Sequence, residues 1–253
     1  MRPPWDEIAD GVLRFVAARR KAAGGYAATP LLPATAEDTY HALRTLEALE
    51  AAGAAVPPPD AGLREWIAGE LGVPGRDPRT LYHLCWSARR VGVPAAGPAP
   101  GVGGRDTLEA RFWRHRLREA GCVAAGPAGA PAPARRPPVV REVWMALVLA
   151  RAAGEAPGWA AGAAAWVRAC QNGDGGFGCR PGTTSFVEHC HTALRVLAML
   201  GAVPRDLAAA RTYVLACRTG AGGFARIHGA AAFLDATRHA VGALRLLDRW
   251  RPA

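Results

Sequence analysis

Lysine is almost missing. Lys21 is the only one in a chain of 253 residues whose formal net charge is +10. Arginine therefore carries the basicity. The arginines are scattered, and the densest group, Arg111 to Arg118, is spaced like a solvated helix face. The charge reads as a bias toward Arg, Ala, Gly and Pro, and no nucleic-acid partner is expected. No run of about 18 uncharged apolar residues occurs, so no membrane span is expected. The N-terminus, Met1-Arg2-Pro3-Pro4-Trp5-Asp6-Glu7, lacks the basic-then-apolar layout of a signal peptide, and a cytoplasmic location is the expectation. The six cysteines include no C-x-x-C pair, which favours free thiols over disulfides. No stretch alternates convincingly between apolar and polar, so no strand is expected.

What is present is a phrase repeated three times. Gly24-Gly25-Tyr26, Gly175-Gly176-Phe177 and Gly222-Gly223-Phe224 are each followed, eleven residues after the aromatic, by an acid: Glu37, Glu188 and Asp235. A helical run opens just beyond each acid. The second and third copies lie 47 residues apart and the first and second 151 apart, room for three such periods. A period in this range marks stacked helix pairs.

Helix-period apolar runs fall into five pairs: about 5–20 with 36–50, 60–71 with 79–91, 106–120 with 139–153, 159–171 with 187–200, and 206–217 with 235–249. The middle pairs have lost the Gly-Gly-aromatic phrase, but their second helices still align with the others. The Pro/Gly/Ala stretches 93–104 and 123–138 carry no periodic signal and read as long loops, so residues 1–253 form one domain on this reading. Each Gly-Gly can supply positive φ where the chain reverses, and the aromatic after it is expected to plug the gap between neighbouring pairs. The three acids suit either helix-start capping or acid/base work.

Cys170-Gln171-Asn172-Gly173-Asp174-Gly175-Gly176-Phe177-Gly178-Cys179-Arg180-Pro181-Gly182 closely resembles the repeat of protein prenyltransferase β subunits and of squalene and oxidosqualene cyclases. The resemblance covers nearly the whole chain. It implies an all-α fold, an α/α toroid of about five hairpins in which the second helix of each pair lines a central apolar cavity. It also implies isoprenoid chemistry as a prenyltransferase or terpene cyclase, and the β subunits' dependence on a helical protein partner. Residues opening the inner helices would then stand at the cavity mouth: Tyr40, His41, Tyr82, His83, Trp144, His189, His191, Arg238 and His239. Aromatic faces there suit an isoprenoid chain, or a carbocation derived from it.

The family's catalytic positions are only partly kept. The zinc-binding Asp, Cys and His of the prenyltransferases fall on Phe186, Glu188 and Ala236, so the resemblance does not carry zinc here. No metal site is expected, and magnesium would enter only with a diphosphate substrate. Arg180 occupies the position of the arginine that contacts the isoprenoid diphosphate, with Thr183 in place of its lysine partner and His189 in place of the tyrosine. Arg226 and His228 lie in the equivalent loop of the last repeat. The cyclase acid motif falls on Glu188-His189-Cys190-His191-Thr192-Ala193, with Cys190 where the proton-donating Asp would be. Acid/base work would then fall to Glu188 and His191, or to Asp38 beside Glu37, with burial raising the acid's pKa. Substrate binding would fall to Arg180, His189, Arg226, His228, Tyr40, Tyr82, Trp144, Arg238 and His239. The alternative is a non-catalytic isoprenoid-binding or protein-interaction toroid.

Overall fold

The computed structural model describes residues 5–94, 106–123 and 133–250. Most of the two stretches expected as long loops lies outside these residues. Among the described residues there are ten helices, and extended backbone occurs only as isolated bridges. The helices are α1 (Trp5–Ala17), α2 (Ala36–Glu50), α3 (Ala61–Leu71), α4 (Pro78–Val91), α5 (Leu108–Glu119), α6 (Val140–Ala152), α7 (Ala160–Ala169), α8 (Val187–Met199), α9 (Leu207–Ala216) and α10 (Leu234–Asp248). Each coincides with one expected apolar run.

Local signals fix the helix ends. For α4, Asp77 accepts from the amides of Arg79 and Thr80, Pro78 occupies the first turn, and Arg89 and Arg90 sit in the last. Gly92 closes that helix in the left-handed region at φ 75°. Asp60 and Asp206 cap α3 and α9 in the same way, and Thr107 caps α5.

The chain divides into two compact units. The first is Met1–Pro127 with Gly220–Gly223 and Phe233–Arg238, and the second is Ala128–Thr219 with Phe224–Ala232 and His239–Ala253. The division falls inside the stretch read from the sequence as a loop within one domain, and α10 begins in the first unit and ends in the second. In the first unit α4 packs against α2, α3 and α5, while α1 packs on α2. In the second unit α8 packs against α6, α7 and α9. Second helices of hairpins thus pack on one another (α2 on α4, α6 on α8), with the first helices against their flanks.

The repeated phrase builds the joint between hairpins. Its first glycine has φ 104°, 85° and 89° at Gly24, Gly175 and Gly222, a backbone state that L side chains rarely adopt. The same glycines lie against helix backbone: a Cβ would collide with the carbonyl of Gly62 in α3, of Ala209 in α9 and of Gly11 in α1 respectively. The second glycine faces an aromatic four residues further along that helix. A Cβ would come within 2.9 Å of Trp66 from Gly25, 2.8 Å of Tyr213 from Gly176 and 2.7 Å of Phe15 from Gly223. Each phrase is thus a seat for one outer helix, and the seat made by the third phrase is taken by α1.

Neighbouring groups lock the seat. The residue four positions before the first glycine bridges back to the aromatic (Arg20 to Tyr26, Gln171 to Phe177, Arg218 to Phe224). Gln171 Nε2 donates to Gly175 O at 3.1 Å and to Asp206 O at 2.7 Å, and the Asp206 amide donates back to Gln171 Oε1 at 3.0 Å. Arg20 does the equivalent with Gly25 O and with Asp60, the cap of α3. The aromatic is buried as expected, and its amide is bound by the following inner helix: Tyr26 N–H donates to Thr39 Oγ1 at 2.9 Å, and Phe177 N–H to Cys190 Sγ at 3.3 Å.

Replacing Gly175 with Ala is expected to lower unfolding stability by at least about 2 kcal/mol, through left-handed backbone strain and overpacking on α9. Gly162→Ala, inside α7 with nothing within 4 Å of the new methyl, should instead stabilise by up to about 1 kcal/mol. Urea melts of the two variants check the opposite signs.

Candidate functional site

The sequence-predicted residues gather in two clusters, one per unit. In the first unit α2 supplies Tyr40 and His41, α4 supplies Tyr82, His83 and Trp86, α5 supplies Trp113 and Arg116, and the first turn of α10 supplies Arg238. Tyr40 and His83 stack face to face, ring centroids 4.2 Å apart at 11°. Tyr82 and Trp86 meet the Tyr40 ring edge-on at 5.8 and 5.3 Å. The Arg238 guanidinium lies 5.4 Å from the same ring. Tyr40, His41, Tyr82 and His83 are 5%, 5%, 2% and 3% exposed. They were expected to line an open mouth; here the rings pack on each other, because rings on adjoining helices reach one another at this spacing, and Tyr82, with Trp86 and Arg116, also borders a cavity of about 360 Å³.

Charge organises this cluster. Arg116 Nη2 donates to Tyr82 Oη at 2.6 Å. Burial raises the Tyr82 hydroxyl, with Tyr40 adding to the rise and Arg116 opposing it. For Tyr40, burial also pushes upward, but the guanidiniums of Arg238, Arg44 and Arg116 and a hydrogen bond from Tyr82 outweigh it, leaving the hydroxyl below its usual range. Burial holds His41 below its usual value and pushes His83 down to about 3, where the neighbouring His41, Arg79 and Arg238 add to the effect. Glu37 is held at about 2, first by its hydrogen bond with His41, 3.5 Å away, and also by its ion pair with Arg79. With His41 neutral, Arg79 is the lasting cation of that pair.

In the second unit Glu188 lies in the first turn of α8. Its Oε1 accepts from Arg226 Nε at 2.9 Å and also from Nη2. The Arg226 guanidinium sits 4.8 Å from the Phe186 ring, and Phe186 meets His189 edge-on at 5.4 Å. Glu188 Oε2 and His189 Nδ1 are buried without a hydrogen-bond partner. Burial lowers His189. One turn along, His191 Nδ1 lies 3.0 Å from His239 Nδ1 on α10, over Gly242, where a Cβ would come within 2.5 Å of the His191 ring. Trp144 on α6 carries the Arg195 guanidinium 4.1 Å from its ring.

The remaining expected residues stand apart. Asp38 is tied to the N-cap of α2: Thr35 Oγ1 accepts from its amide at 3.0 Å and donates to its carboxylate at 2.7 Å, while burial raises its pKa. Arg180 and His228 are exposed, and no described hydrogen bond or ion pair links either to the Arg226–Glu188 pair. Phe186 and Ala236, at two zinc positions of the resembled family, are the α8 cap and a buried alanine. Among the described residues no three His, Cys, Asp or Glu side chains converge as a metal site.

Several placements revise the sequence reading. Glu37, Glu188 and Asp235 lie in the first turns of their helices, one of the two helix-start placements expected, while Thr35 is the cap of α2 and Phe186, ahead of α8, makes no side-chain cap. Glu37 and Glu188 each pair with an arginine from the next repeat, Arg79 or Arg226. Cys190, at the cyclase acid position, is fully buried, accepts the Phe177 amide, and has its thiol pKa pushed up by burial. The 111–118 stretch, read as a solvated face, buries Phe112 and Leu117 completely and aims Arg116 at Tyr82. Trp113 and Arg116, three residues apart, were the available signal there.

These features define an all-α protein of repeated helical hairpins with glycine-built joints. The chain belongs to the prenyltransferase α/α toroid family: the model of the prenyltransferase alpha-alpha toroid domain matches residues 4–76, 138–208 and 161–252, more than half of the chain. Comparison with curated proteins finds no match. Among the described residues no helix is long and apolar enough to cross a membrane.

Depressed histidine pKa values make stability depend on pH. A free histidine takes up a proton near pH 6.5, whereas His83 resists doing so until about 3. Between those values the unfolded chain holds the extra proton, so stability present above pH 6.5 is lost on acidification. His83 is expected to account for about 2–3 kcal/mol of the loss between pH 6.5 and 4. His83→Phe, which keeps a ring against Tyr40, should flatten the slope by that amount in urea melts taken across this range.

Proposed function

We propose that the protein is an isoprenoid-handling enzyme whose anionic headgroup site is the Arg226–Glu188 pair at the N-terminus of α8, working without the zinc site of the prenyltransferases. One observation carries this reading. Arg226 is an exposed guanidinium backed by an aromatic ring and paired with a first-turn carboxylate, next to a helix N-terminus that itself favours an anion. A diphosphate can take the place of the Glu188 carboxylate on the guanidinium fork, which suits phosphate oxygens in a bidentate fashion. Glu188, released from the pair, is then the nearest carboxylate for accepting a proton. His189 stands beside it with Nδ1 unpartnered. Phe186 offers an apolar face to the first part of the chain. Arg180 and His228, exposed on loops, would meet the distal phosphate.

The non-catalytic alternative, an isoprenoid-binding or protein-interaction toroid, is favoured by a different observation. Cys190, where the cyclases carry their proton donor, is used up in holding the Phe177 amide, and Asp38 is engaged in a helix cap. On that reading Arg226 holds a ligand and no bond is made or broken.

Titration with farnesyl and geranylgeranyl diphosphate, followed by product analysis, separates the two. Binding is expected to weaken about tenfold or more in Arg226→Ala, since hydrogen bonds to charged groups contribute roughly 1.5–3 kcal/mol. Glu188→Gln should bind normally and lose turnover. Tight binding without turnover in the unaltered protein gives the alternative, and no binding of either diphosphate overturns both isoprenoid readings.

A further inference from the structure

A well-formed cavity lies away from both clusters. It occupies about 530 Å³ in the first unit, between the C-terminal half of α1, the middle of α2 and the segment leading into α3. That volume is ordinary for a small-molecule site, which typically spans about 300–1,000 Å³. Its wall is apolar: Leu13 and Val16 from α1, Leu43 and Leu46 from α2, and Leu63 from α3 face it. Opposite runs Val56-Pro57-Pro58-Pro59, three residues of which have no amide hydrogen to offer a ligand. Of the second helices, α2 contributes Leu43 and Leu46 and α4 contributes only Arg90, so most of the wall comes from α1 and the segment leading into α3.

The polar groups on the lining are unequal. Arg20 is bonded to Asp60 at 2.6 Å and to two backbone carbonyls. Arg90 is bonded to Glu50 at 2.5 Å. Arg14 is exposed, and no hydrogen bond or ion pair engages its guanidinium among the described residues. An apolar pocket with a single unengaged cation at its edge matches a ligand with one long apolar part and one negative charge. A diphosphate would need more free cations than this rim supplies, which separates the pocket from the Arg226 site.

We propose that this cavity is a binding site for a single-chain monoanionic amphiphile of the fatty-carboxylate type, the chain lying along Leu13, Val16, Leu43 and Leu46 and the carboxylate meeting Arg14. Burial of methylenes supplies the affinity. The exposed Arg14 contact supplies the preference for an anion, a weaker effect of about two- to fivefold.

Calorimetric titration of the full chain with sodium dodecanoate, dodecanol and dodecyltrimethylammonium, each below its micelle threshold, tests this. Dodecanoate is expected to bind at one site, dodecanol about two- to fivefold more weakly, and the cationic analogue more weakly still. Arg14→Ala should remove the preference for dodecanoate over dodecanol. Leu46→Trp, which fills the cavity, should abolish binding of all three. Farnesyl diphosphate binding through Arg226 serves as the folding control, since both variants should leave it unchanged. If the isoprenoid reading itself fails, an unaltered circular dichroism spectrum and melting point take its place. Absence of dodecanoate binding, binding that survives Leu46→Trp in a folded variant, or equal affinity for the three probes would overturn the proposal.

Discussion

The architecture depends on a contact that only a missing Cβ allows. At the first glycine of each repeated phrase, hairpin backbone touches the backbone of an outer helix. Any side chain there would push the two apart and would also strain a positive φ. The second glycine then accepts the flat side of Trp66, Tyr213 or Phe15. Backbone proximity and aromatic cover are two faces of one joint. Since the joint recurs at Gly24, Gly175 and Gly222, three outer helices are placed by the same chemistry.

What the joint holds in place differs between the units. Around Tyr40, Tyr82, His41 and His83 the inner helices meet through rings and guanidiniums, with the histidines kept neutral by burial and the Tyr40 hydroxyl biased toward acidity by three arginines. Around Glu188 the same helix-start positions hold an ion pair reachable from solvent. One repeat template therefore carries a first-turn ion pair in both units, Glu37 with Arg79 and Glu188 with Arg226, and adds a buried polar-aromatic cluster in the first. The residue after the first-turn acid also differs: Asp38 bonds to the Thr35 cap, whereas His189 packs edge-on against Phe186.

Positions inherited from a catalytic pattern are not thereby catalytic. Cys190 stands where a related acid would stand, but the structure uses it as Thr39 is used in the first repeat, to accept the amide of the phrase's aromatic. A buried sulfur suits that task and cannot deliver a proton to an alkene as a carboxylic acid can. The pairing of Glu188 with Arg226, matched by Glu37 with Arg79, likewise shows a first-turn acid tying one repeat to the next.

The sequence by itself determined the helices, their pairing and the hairpin joints. Those follow from local periods and from glycines whose spacing repeats, and both are properties of the chain that survive without knowing what packs on what. It also brought Glu188, His189 and Arg226 into view, since loop and helix start lie at fixed offsets within a repeat. Tertiary packing was needed to bring Tyr40 and Tyr82 into contact, to turn Arg116 from its apparent solvent face to Tyr82, and to set His191 against His239 above Gly242. It alone decided that an apolar cavity opens between α1, α2 and a proline wall. Those outcomes depend on the directions in which side chains from distant segments converge, and a pattern read along one chain carries no information about direction across space.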